Sequence, residues 1–321
     1  MATTAKITLR PLPPFDFRLS AMIFLEGDQH IRKYEGGRFW NVIRVDGTLL
    51  LTSLTAAGTV DDPKLLVELE SNEIISRKEI SNARVIIRAL FNLDFDLEPF
   101  YKEAEKDDVM VFLTQKLRGL KSPTTPTIHE ALIDSIVEQQ ISLKVANMLE
   151  ERLIKGFGER LTLDKGVYYA FPTPQQLASA STHGIRECGL SQKKAEYIID
   201  ISRMIDDGKL DLEELKDHAD SADIIKELDE IRGIGVWTAE LTMIRGMQRL
   251  DAIPADDLGL RAVISHYYCN DHKISSNEAR KIAENWGTWK GLASFYLIIA
   301  SAMRIEIDLE TRCTRLTGKT M

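Results

Sequence analysis

The chain has 321 residues, of which 44% are hydrophobic and 28% charged, a balance typical of a globular protein with room for two or three domains. No apolar run reaches the roughly 18 residues needed to span a bilayer, and the N-terminus MATTAKITLR lacks the apolar segment of a secretory signal. The net charge of −8 counts against a protein that binds nucleic acid through bulk positive charge, although backbone amides and a local basic face can still hold a few phosphates.

Residues 1–95 predict a small α+β domain with an antiparallel sheet. Two β-like runs, RFWNVIRV and TLLLTSL, flank Asp46-Gly47, which is a strong hairpin signal. A further strand is predicted at Leu65–Ser71. The following segment, Ser76–Leu90, has helical spacing and begins with Ser76 and Glu79 at the separation of a capping box.

Residues 96–308 predict a helical core, because strand signals nearly vanish after Asp96, and residues 309–321 form a polar tail. EPFYKEAEKDDVMVFLTQKL is expected to be helical in two pieces, and a Pro/Thr linker follows at Lys121–Ile128. Thr127 is expected to cap the next helical pattern. The spacing leaves open whether that pattern is one helix or two with a turn near Gln139–Ser142.

Later helices are predicted from periodicity and from their start signals. They begin after Pro174 and after Ser191, cover DLEELKD and SADIIKELDEI, extend over Trp237–Met247 and about Leu260–Tyr268, and end with SNEARKIAENWG and WKGLASFYLIIASAMRI.

The stretch LDEIRGIGVWTAEL places a Gly-Ile-Gly turn between two of these helices, which predicts a helix-hairpin-helix. Glycines permit positive φ and close approach of another backbone. The turn and the next helix's N-terminus expose N–H groups that can bind one anion, such as a DNA phosphate, without net positive charge. The alternative is a plain αα-hairpin with a glycine connector.

Two adjacent acids, Asp256 and Asp257, follow Pro254 in the segment AIPADDLGLRAV. Local spacing indicates that one of them caps the next helix. The functional alternative is a carboxylate held at a helix start beside a phosphate-binding turn, where it can activate water or stabilise an oxocarbenium-like sugar cation.

This combination resembles the helix-hairpin-helix superfamily of DNA glycosylases, and more narrowly the 3-methyladenine DNA glycosylase II (AlkA-like) branch. The resemblance covers roughly Leu117–Arg304 and includes the Gln-Gln-Ile-Ser of Leu117–Ser142, FPTPQQLASAS, Cys188–Ser202 and the Trp-x-x-Trp pair of Trp286–Ile298. Residues 1–95 resemble, more weakly, the sheet domain that precedes this core in the same branch and in 8-oxoguanine glycosylases. The fold implied is a core of two helical subdomains with the active-site cleft between them.

The resemblance implies a catalytic aspartate directly before Leu-Gly. This selects Asp257, with Asp256 as the second candidate, and we expect Asp256 to cap the helix or to be solvated. It also implies a phosphate-binding hairpin formed by Gly233, Ile234, Gly235, Val236 and Thr238.

Trp237 stands where bifunctional relatives carry the lysine that forms a Schiff base with the sugar, so the resemblance implies a monofunctional enzyme. It also implies that Trp237 and Leu241 line the base pocket, where an indole can stack on a cationic base. Leu241 replaces an aromatic residue of some relatives, which predicts a less aromatic pocket. The alternative for Trp237 is core packing.

Gln140 and Gln139 are the candidates for the side chain that fills the gap left by a flipped nucleotide, although some relatives use an apolar residue there. The alternative is two exposed helix glutamines. Ser142 is expected to be a helix cap or a phosphate contact.

The implied function is a monofunctional DNA glycosylase of base excision repair. It flips out alkylated bases of the 3-methyladenine and 7-methylguanine type in double-stranded DNA, hydrolyses the N-glycosidic bond and leaves an abasic site. We expect a monomer without membrane association or cofactor, cytoplasmic and nucleoid-associated in a prokaryote or nuclear in a eukaryote. The alternatives are an 8-oxoguanine glycosylase/lyase, a non-catalytic protein that binds damaged DNA, and a helical scaffold.

The metal expectation follows from the cysteines and the hairpin. Cys188, Cys269 and Cys313 fit no zinc or cluster spacing, are expected to be free thiols, and exclude a four-cysteine iron–sulfur site. No metal is required, and the hairpin carbonyls allow a monovalent cation.

Overall fold

A computed structural model of the chain describes residues 3–307 and confirms the α+β class. The N-terminal part is a five-stranded sheet in the order β1-β5-β4-β3-β2 with every neighbouring pair antiparallel. Its strands are β1 (Thr3–Leu9), β2 (Arg32–Glu35), β3 (Arg38–Val45), β4 (Thr48–Gly58) and β5 (Pro63–Ser71). Asp46 and Gly47, with φ of 48° and 93°, form the expected two-residue turn between β3 and β4.

One face of this sheet is covered by helices. They are α1 (Phe17–Ala21), which a short 3₁₀ segment (Met22–Phe24) extends, and α2 (Arg77–Leu90). The predicted capping box of α2 is present, since the Ser76 side chain accepts from the Glu79 amide and the Glu79 side chain accepts from the Ser76 amide. Apolar residues of alternating strand positions and of α2, such as Phe39, Leu54 and Ile87, form the core between them.

The opposite face of the sheet is covered by a β-hairpin from the helical part of the chain, β6 (Arg160–Leu163) and β7 (Gly166–Tyr169). Leu161 and Leu163 pack with Val42, Leu49 and Leu51 of the sheet. The expectation that strands nearly vanish after Asp96 was therefore wrong at this place. Strands of four residues give too short a pattern to recognise, and their burial depends on the distant sheet.

The remaining helices belong to the C-terminal two thirds of the chain. They are α3 (Glu98–Ala104), α4 (Asp108–Lys116), α5 (Ile128–Glu138), α6 (Leu143–Phe157), α7 (Pro174–Ala178), α8 (Thr182–Glu187), α9 (Gln192–Asp206), α10 (Leu212–Lys216), α11 (Ser221–Asp229), α12 (Val236–Gly246), α13 (Leu258–Tyr268), α14 (Ser276–Ala283) and α15 (Lys290–Ala302), with a 3₁₀ segment at Glu284–Trp289.

These helices form two apolar cores. One core contains side chains of α5–α12, and the other contains side chains of α3, α4 and α13–α15. The chain crosses from the first core to the second between Ala252 and Ile253, just before Asp256 and Asp257. The acid pair therefore lies beside the boundary between the two helical units.

The pattern that begins at Ile128 forms two helices, which settles the question that the sequence left open. Thr127 caps α5 as expected, by accepting from the Glu130 amide at 3.1 Å. α5 ends at Glu138, and Gln140 adopts a φ of 58°, in the left-handed region that a helix interior does not use. The break places Gln139 to Ser142 in a turn before α6.

The Pro/Thr linker is packed against the sheet domain. Lys121 is 0% exposed, and its ammonium group donates to the carbonyl groups of Leu12 and Leu93 at 2.9 and 3.2 Å. In residues 3–307, each helix is too short or too polar to cross a membrane. The predicted tail 309–321 and Cys313 lie outside the described residues, and the boundaries at 95/96 and 308/309 stay predictions.

Candidate functional site

The turn between α11 and α12 requires glycine at only one of its two glycine positions. Gly233 has a φ of 99°, and a Cβ there would lie 2.3 Å from the ring of Tyr197. Gly235 has a φ of −113°, and an added Cβ would meet only Asp229 Oδ1, at 4.0 Å. Gly233 thus uses the positive φ that glycine permits, whereas Gly235 has an extended backbone that other residues also adopt.

The first turn of α12 is open to a ligand. Gly235 is its N-cap residue, and no side chain in the described part of the chain caps the helix, whereas Asp220 caps α11 and Asp257 caps α13. The first amides of a helix have no acceptor within the helix. Gly235 and Val236 are exposed, while the side chains of Ile234 and Thr238 are buried and fix the turn. This arrangement can hold one anion on backbone N–H groups.

The two glutamines between α5 and α6 differ in their contacts. The Gln139 amide group donates to the Gly233 carbonyl at 2.9 Å and to Thr238 Oγ1 at 3.0 Å. Gln140 is exposed, and its side chain makes no hydrogen bond with residues 3–307. Of the two wedge candidates, Gln139 is therefore engaged within the protein and Gln140 is free. Ser142 is the N-cap residue of α6, but its hydroxyl makes no capping bond.

The two acids of the pair have different contacts. Asp257, not Asp256, is the N-cap of α13, because its Oδ1 accepts from the Leu260 amide at 2.7 Å. Of the two possibilities expected for Asp256, a helix cap or a solvated carboxylate, the structure shows the second. Asp256 is exposed and forms an ion pair with Arg280 at 3.4 Å. Asp257 is half-buried, and its second oxygen has no hydrogen-bond partner within 3–307, so it is available to a ligand.

An ion pair between the half-buried Arg280 and the buried Glu240 ties the acid pair to the hairpin helix. Arg280 of α14 makes a bidentate pair with Glu240 of α12, at 2.6 and 3.1 Å, and also donates to the Ile253 carbonyl at 3.1 Å. Burial raises the pKa of Glu240, and hydrogen bonding to Glu240 raises the pKa of Arg280. A bidentate guanidinium–carboxylate pair restricts orientation as well as distance. The loop that carries Asp256 and Asp257 is thus held against α12.

Trp237 lies on the first turn of α12 and is half-buried. It is not among the side chains packed on either helical core, and its indole N–H is buried without a partner in the part of the chain that the structure describes. Leu241, one turn later, is 8% exposed and likewise belongs to neither core. These observations weaken the core-packing alternative and agree with a pair of side chains that line a cleft.

The described cysteines and acidic residues do not form a metal site. Cys188 and Cys269 are free thiols, and burial raises the pKa of both. Within residues 3–307, no cluster of three or more His, Cys, Asp or Glu side chains is arranged to hold a metal. That finding does not bear on a cation at hairpin carbonyls, which stays a prediction.

Sequence reasoning missed three residues that hold the site together: Lys194, Tyr197 and Arg280. Lys194 donates to the carbonyl groups of Val137 and Gln139, at 2.8 and 2.6 Å, and Tyr197 lies against Gly233. No local signal distinguishes them, because a lysine, a tyrosine and an arginine on amphipathic helices ordinarily face solvent or core.

Comparison with known proteins finds relatives of this chain among DNA repair proteins. The sequence profile described as HhH-GPD superfamily base excision DNA repair protein matches residues 133–288. The DNA-3-methyladenine glycosylase of Bacillus subtilis is 30% identical over 248 residues, which cover 77% of this chain and 82% of that protein. The solved 3-methyladenine DNA glycosylase from Archaeoglobus fulgidus superposes with a TM-score of 0.81 at 26% identity, over 94% of this chain and all of that one.

A more distant structure shares the fold alone. The Clostridium acetobutylicum 8-oxoguanine glycosylase/lyase, solved with double-stranded DNA, has a TM-score of 0.74 at 20% identity and covers 95% of this chain and 99% of its own. The profile match, over residues 133–288, spans the hairpin and the acid pair that the structure brings together through α12. The chain belongs to the HhH-GPD superfamily of base excision DNA repair proteins.

Proposed function

We propose that this chain is a monofunctional DNA glycosylase that removes alkylated bases of the 3-methyladenine and 7-methylguanine type and leaves an abasic site. The observation that carries the proposal is the Asp257 carboxylate, which has one oxygen fixed by the Leu260 amide and one without a partner. The relatives named 3-methyladenine DNA glycosylases support the substrate class.

In the proposed mechanism, the free amides at the start of α12 hold a backbone phosphate of double-stranded DNA, and Gln140 fills the gap left by the flipped nucleotide. The base stacks on Trp237. The free oxygen of Asp257 stabilises the positive charge that develops on the sugar and directs water as the N-glycosidic bond breaks. A cationic alkylated base leaves readily, so a separate general acid is not needed.

Trp237 supports hydrolysis rather than strand cleavage. An indole cannot form a Schiff base with the sugar, so water is the nucleophile in the proposed reaction. The 8-oxoguanine glycosylase/lyase alternative requires an amine at the sugar. Trapping of a covalent protein–DNA adduct with borohydride would support that alternative. We further propose that the protein acts as a monomer, which sedimentation with and without DNA tests.

The test uses the capping role of Asp257. Asparagine caps helices about as well as aspartate, so Asp257→Asn removes the charge and keeps the cap. We expect release of free bases from methylated duplex DNA to fall by at least about a hundredfold, as for loss of a transition-state charge partner, with DNA binding and thermal stability near those of the wild type.

The matched control is Asp256→Asn, which removes the neighbouring exposed carboxylate. It should retain most of the activity. Excision by Asp257→Asn at the wild-type rate, or equal losses in both variants, would contradict the assignment, and a wild type that releases no methylated base would refute the proposed function.

A further inference from the structure

We propose that Gln139 is a positioning residue that couples the phosphate-holding turn to the insertion of Gln140 into DNA. This inference rests on the proposed function, because it assigns a role to a side chain between two of its proposed DNA contacts. It also assigns different roles to the two glutamines: Gln139 makes hydrogen bonds within the protein, and Gln140 is inserted into the DNA.

The first step of the argument is the pair of hydrogen bonds that Gln139 makes across the hairpin. Its amide nitrogen donates to the Gly233 carbonyl and to Thr238 Oγ1, at 2.9 and 3.0 Å, over a separation of more than 90 residues in sequence. Gly233 precedes the open N-terminus of α12 and Thr238 follows it. Both N–H groups of one amide are thus used to hold the turn that is proposed to bind the phosphate.

The second step is the support from α9. Lys194 donates to the Gln139 carbonyl at 2.6 Å and to the Val137 carbonyl at 2.8 Å, so its ammonium group satisfies the end of α5. Three residues later on the same helix, the Tyr197 ring lies where a Cβ on Gly233 would fall, at 2.3 Å. The turn at Gln139–Ser142 and the hairpin turn at Gly233 therefore both contact α9, and they also contact each other.

The third step concerns Gln140. Gln140 is exposed and has a φ of 58°. It lies between Gln139, whose side chain is bonded to the hairpin, and Ser142, the N-cap residue of α6, whose hydroxyl makes no capping bond. Because the side chain of the preceding residue, Gln139, is bonded to the hairpin, the position of Gln140 is linked to the same turn that is proposed to hold the phosphate. Such a link fixes the distance between the held phosphate and the inserted side chain, which lowers the entropic cost of insertion.

A positioning role predicts an effect that depends on the DNA. Insertion of Gln140 matters most when the lesion must be taken out of an intact, paired stack. It matters less when the lesion lies opposite an abasic site, where the base is unpaired and flips at lower cost. A merely structural role of Gln139 would reduce activity on both duplexes to the same extent.

The experiment compares Gln139→Met, which keeps the side-chain length and removes both donors, with Gln192→Met on α9. Gln192 bonds only its neighbour Glu196 on the helix surface, at 2.8 Å, and serves as the matched control. Single-turnover base release is measured on two duplexes with one 7-methylguanine, paired with cytosine in one and opposite an abasic site in the other. We expect Gln139→Met to lose about tenfold or more on the paired duplex and less than about threefold on the other, as for one or two lost hydrogen bonds.

A second readout does not depend on catalysis. A duplex with a tetrahydrofuran abasic analogue carries 2-aminopurine opposite the gap, and its fluorescence reports whether a side chain enters the stack. We expect the wild type and Gln192→Met to give the same fluorescence change, and Gln139→Met to give a smaller one at saturating protein. Thr238→Val, which removes one acceptor, should show part of this loss and add little to it in the double variant.

The outcomes separate the two levels of the proposal. Equal losses on both 7-methylguanine duplexes, or a wild-type fluorescence change in a folded Gln139→Met, would overturn the positioning role. If Gln139→Met does not fold, Thr238→Val is tested in its place. A wild-type fluorescence change in Thr238→Val would then overturn the positioning role of Gln139. A wild type that releases no base but changes the fluorescence would refute the proposed activity. The positioning role of Gln139 would then be decided by comparing the fluorescence changes of the variants.

Discussion

At the scale of single residues, the two hairpin glycines serve different purposes. Gly233 is required by the backbone, since its φ of 99° and the Tyr197 ring leave no room for a side chain. Gly235 is not required by sterics, because an added Cβ would have only one neighbour, at 4.0 Å. A glycine in free space at a helix N-terminus leaves the amides accessible, which is what a bound phosphate needs.

We therefore predict opposite behaviour for two alanine variants. Gly233→Ala should lower the free energy of unfolding by more than about 2 kcal/mol, through strain at positive φ and the clash with Tyr197. Gly235→Ala should cost less than about 1 kcal/mol, as for a poorer N-cap residue, yet weaken binding to duplex DNA with an abasic analogue several-fold. Denaturant unfolding and binding titrations at fixed salt measure the two quantities. Wild-type DNA affinity of Gly235→Ala would argue against phosphate binding at this helix start.

At the scale of elements, α5 carries a row of acidic residues on one face, and the sequence analysis did not predict that they form a buried cluster. Glu130, Asp134 and Glu138 lie at successive helical turns and face Glu150 of α6. The two guanidinium groups that balance them come from β2 of the sheet, as Arg32, and from α12, as Arg245. Four carboxylates and two cations in a buried place favour protonation of part of the cluster.

This cluster predicts an unusual pH dependence of stability. Burial raises the pKa of Glu130 from 4.5 to about 7, against the opposing effect of Arg32 and with the help of Glu150. The folded state thus holds a proton that the unfolded state releases above about pH 4.5. Its contribution is fully present below that pH and is lost as the pH rises through about 7.

Glu130→Gln should remove this dependence. The amide keeps a hydrogen-bond acceptor for Arg32 without a titrating charge, so we expect it to be more stable than the wild type at pH 8 by about 1–3 kcal/mol and to have a flatter profile from pH 5 to 8. Urea unfolding across that range measures it. Glu284→Gln, which changes an exposed carboxylate, is the control. Parallel profiles for wild type and Glu130→Gln would contradict the prediction.

The helices and their caps could be predicted from sequence because their signals are local. Ser76 with Glu79, Thr127 and Ser191 all cap where the spacing placed them. Three other features could not be predicted, because each depends on partners far away in the chain. They are the β6–β7 hairpin, the hydrogen bonds of Gln139 to the hairpin turn, and the ion pair between Arg280 and Glu240. That Asp257 rather than Asp256 caps α13 could not be predicted, for another reason. Two adjacent acids suit the N-cap equally well, and only the backbone decides which one accepts the amide.

At the scale of the whole molecule, the negative charge is not spread over the surface. The segment Asp206–Glu230, which covers the end of α9 and all of α10 and α11, contains eleven acids and three lysines. It therefore carries the entire net charge of −8, and the rest of the chain has equal numbers of acids and bases. All eleven acids are exposed. The acidity that counted against nucleic-acid binding is thus concentrated in one segment, which ends just before the hairpin turn.

Because that segment makes no contact with DNA in the proposed binding mode, its effect should be a long-range repulsion that salt screens. Four of its exposed acids can be neutralised together, in the variant Glu213→Gln, Asp217→Asn, Asp223→Asn and Glu230→Gln. This variant should bind undamaged duplex DNA a few-fold more tightly at about 20 mM salt, where charges still interact over roughly tens of ångströms. The gain should vanish near about 0.3 M salt, and the slope of log affinity against log salt should steepen by less than the roughly 0.9 expected of one new phosphate contact. Base release at saturating protein should not change. A gain that persists at high salt would mean that α10 and α11 touch the DNA, and the phosphate held at α12 would then be one contact of a wider interface.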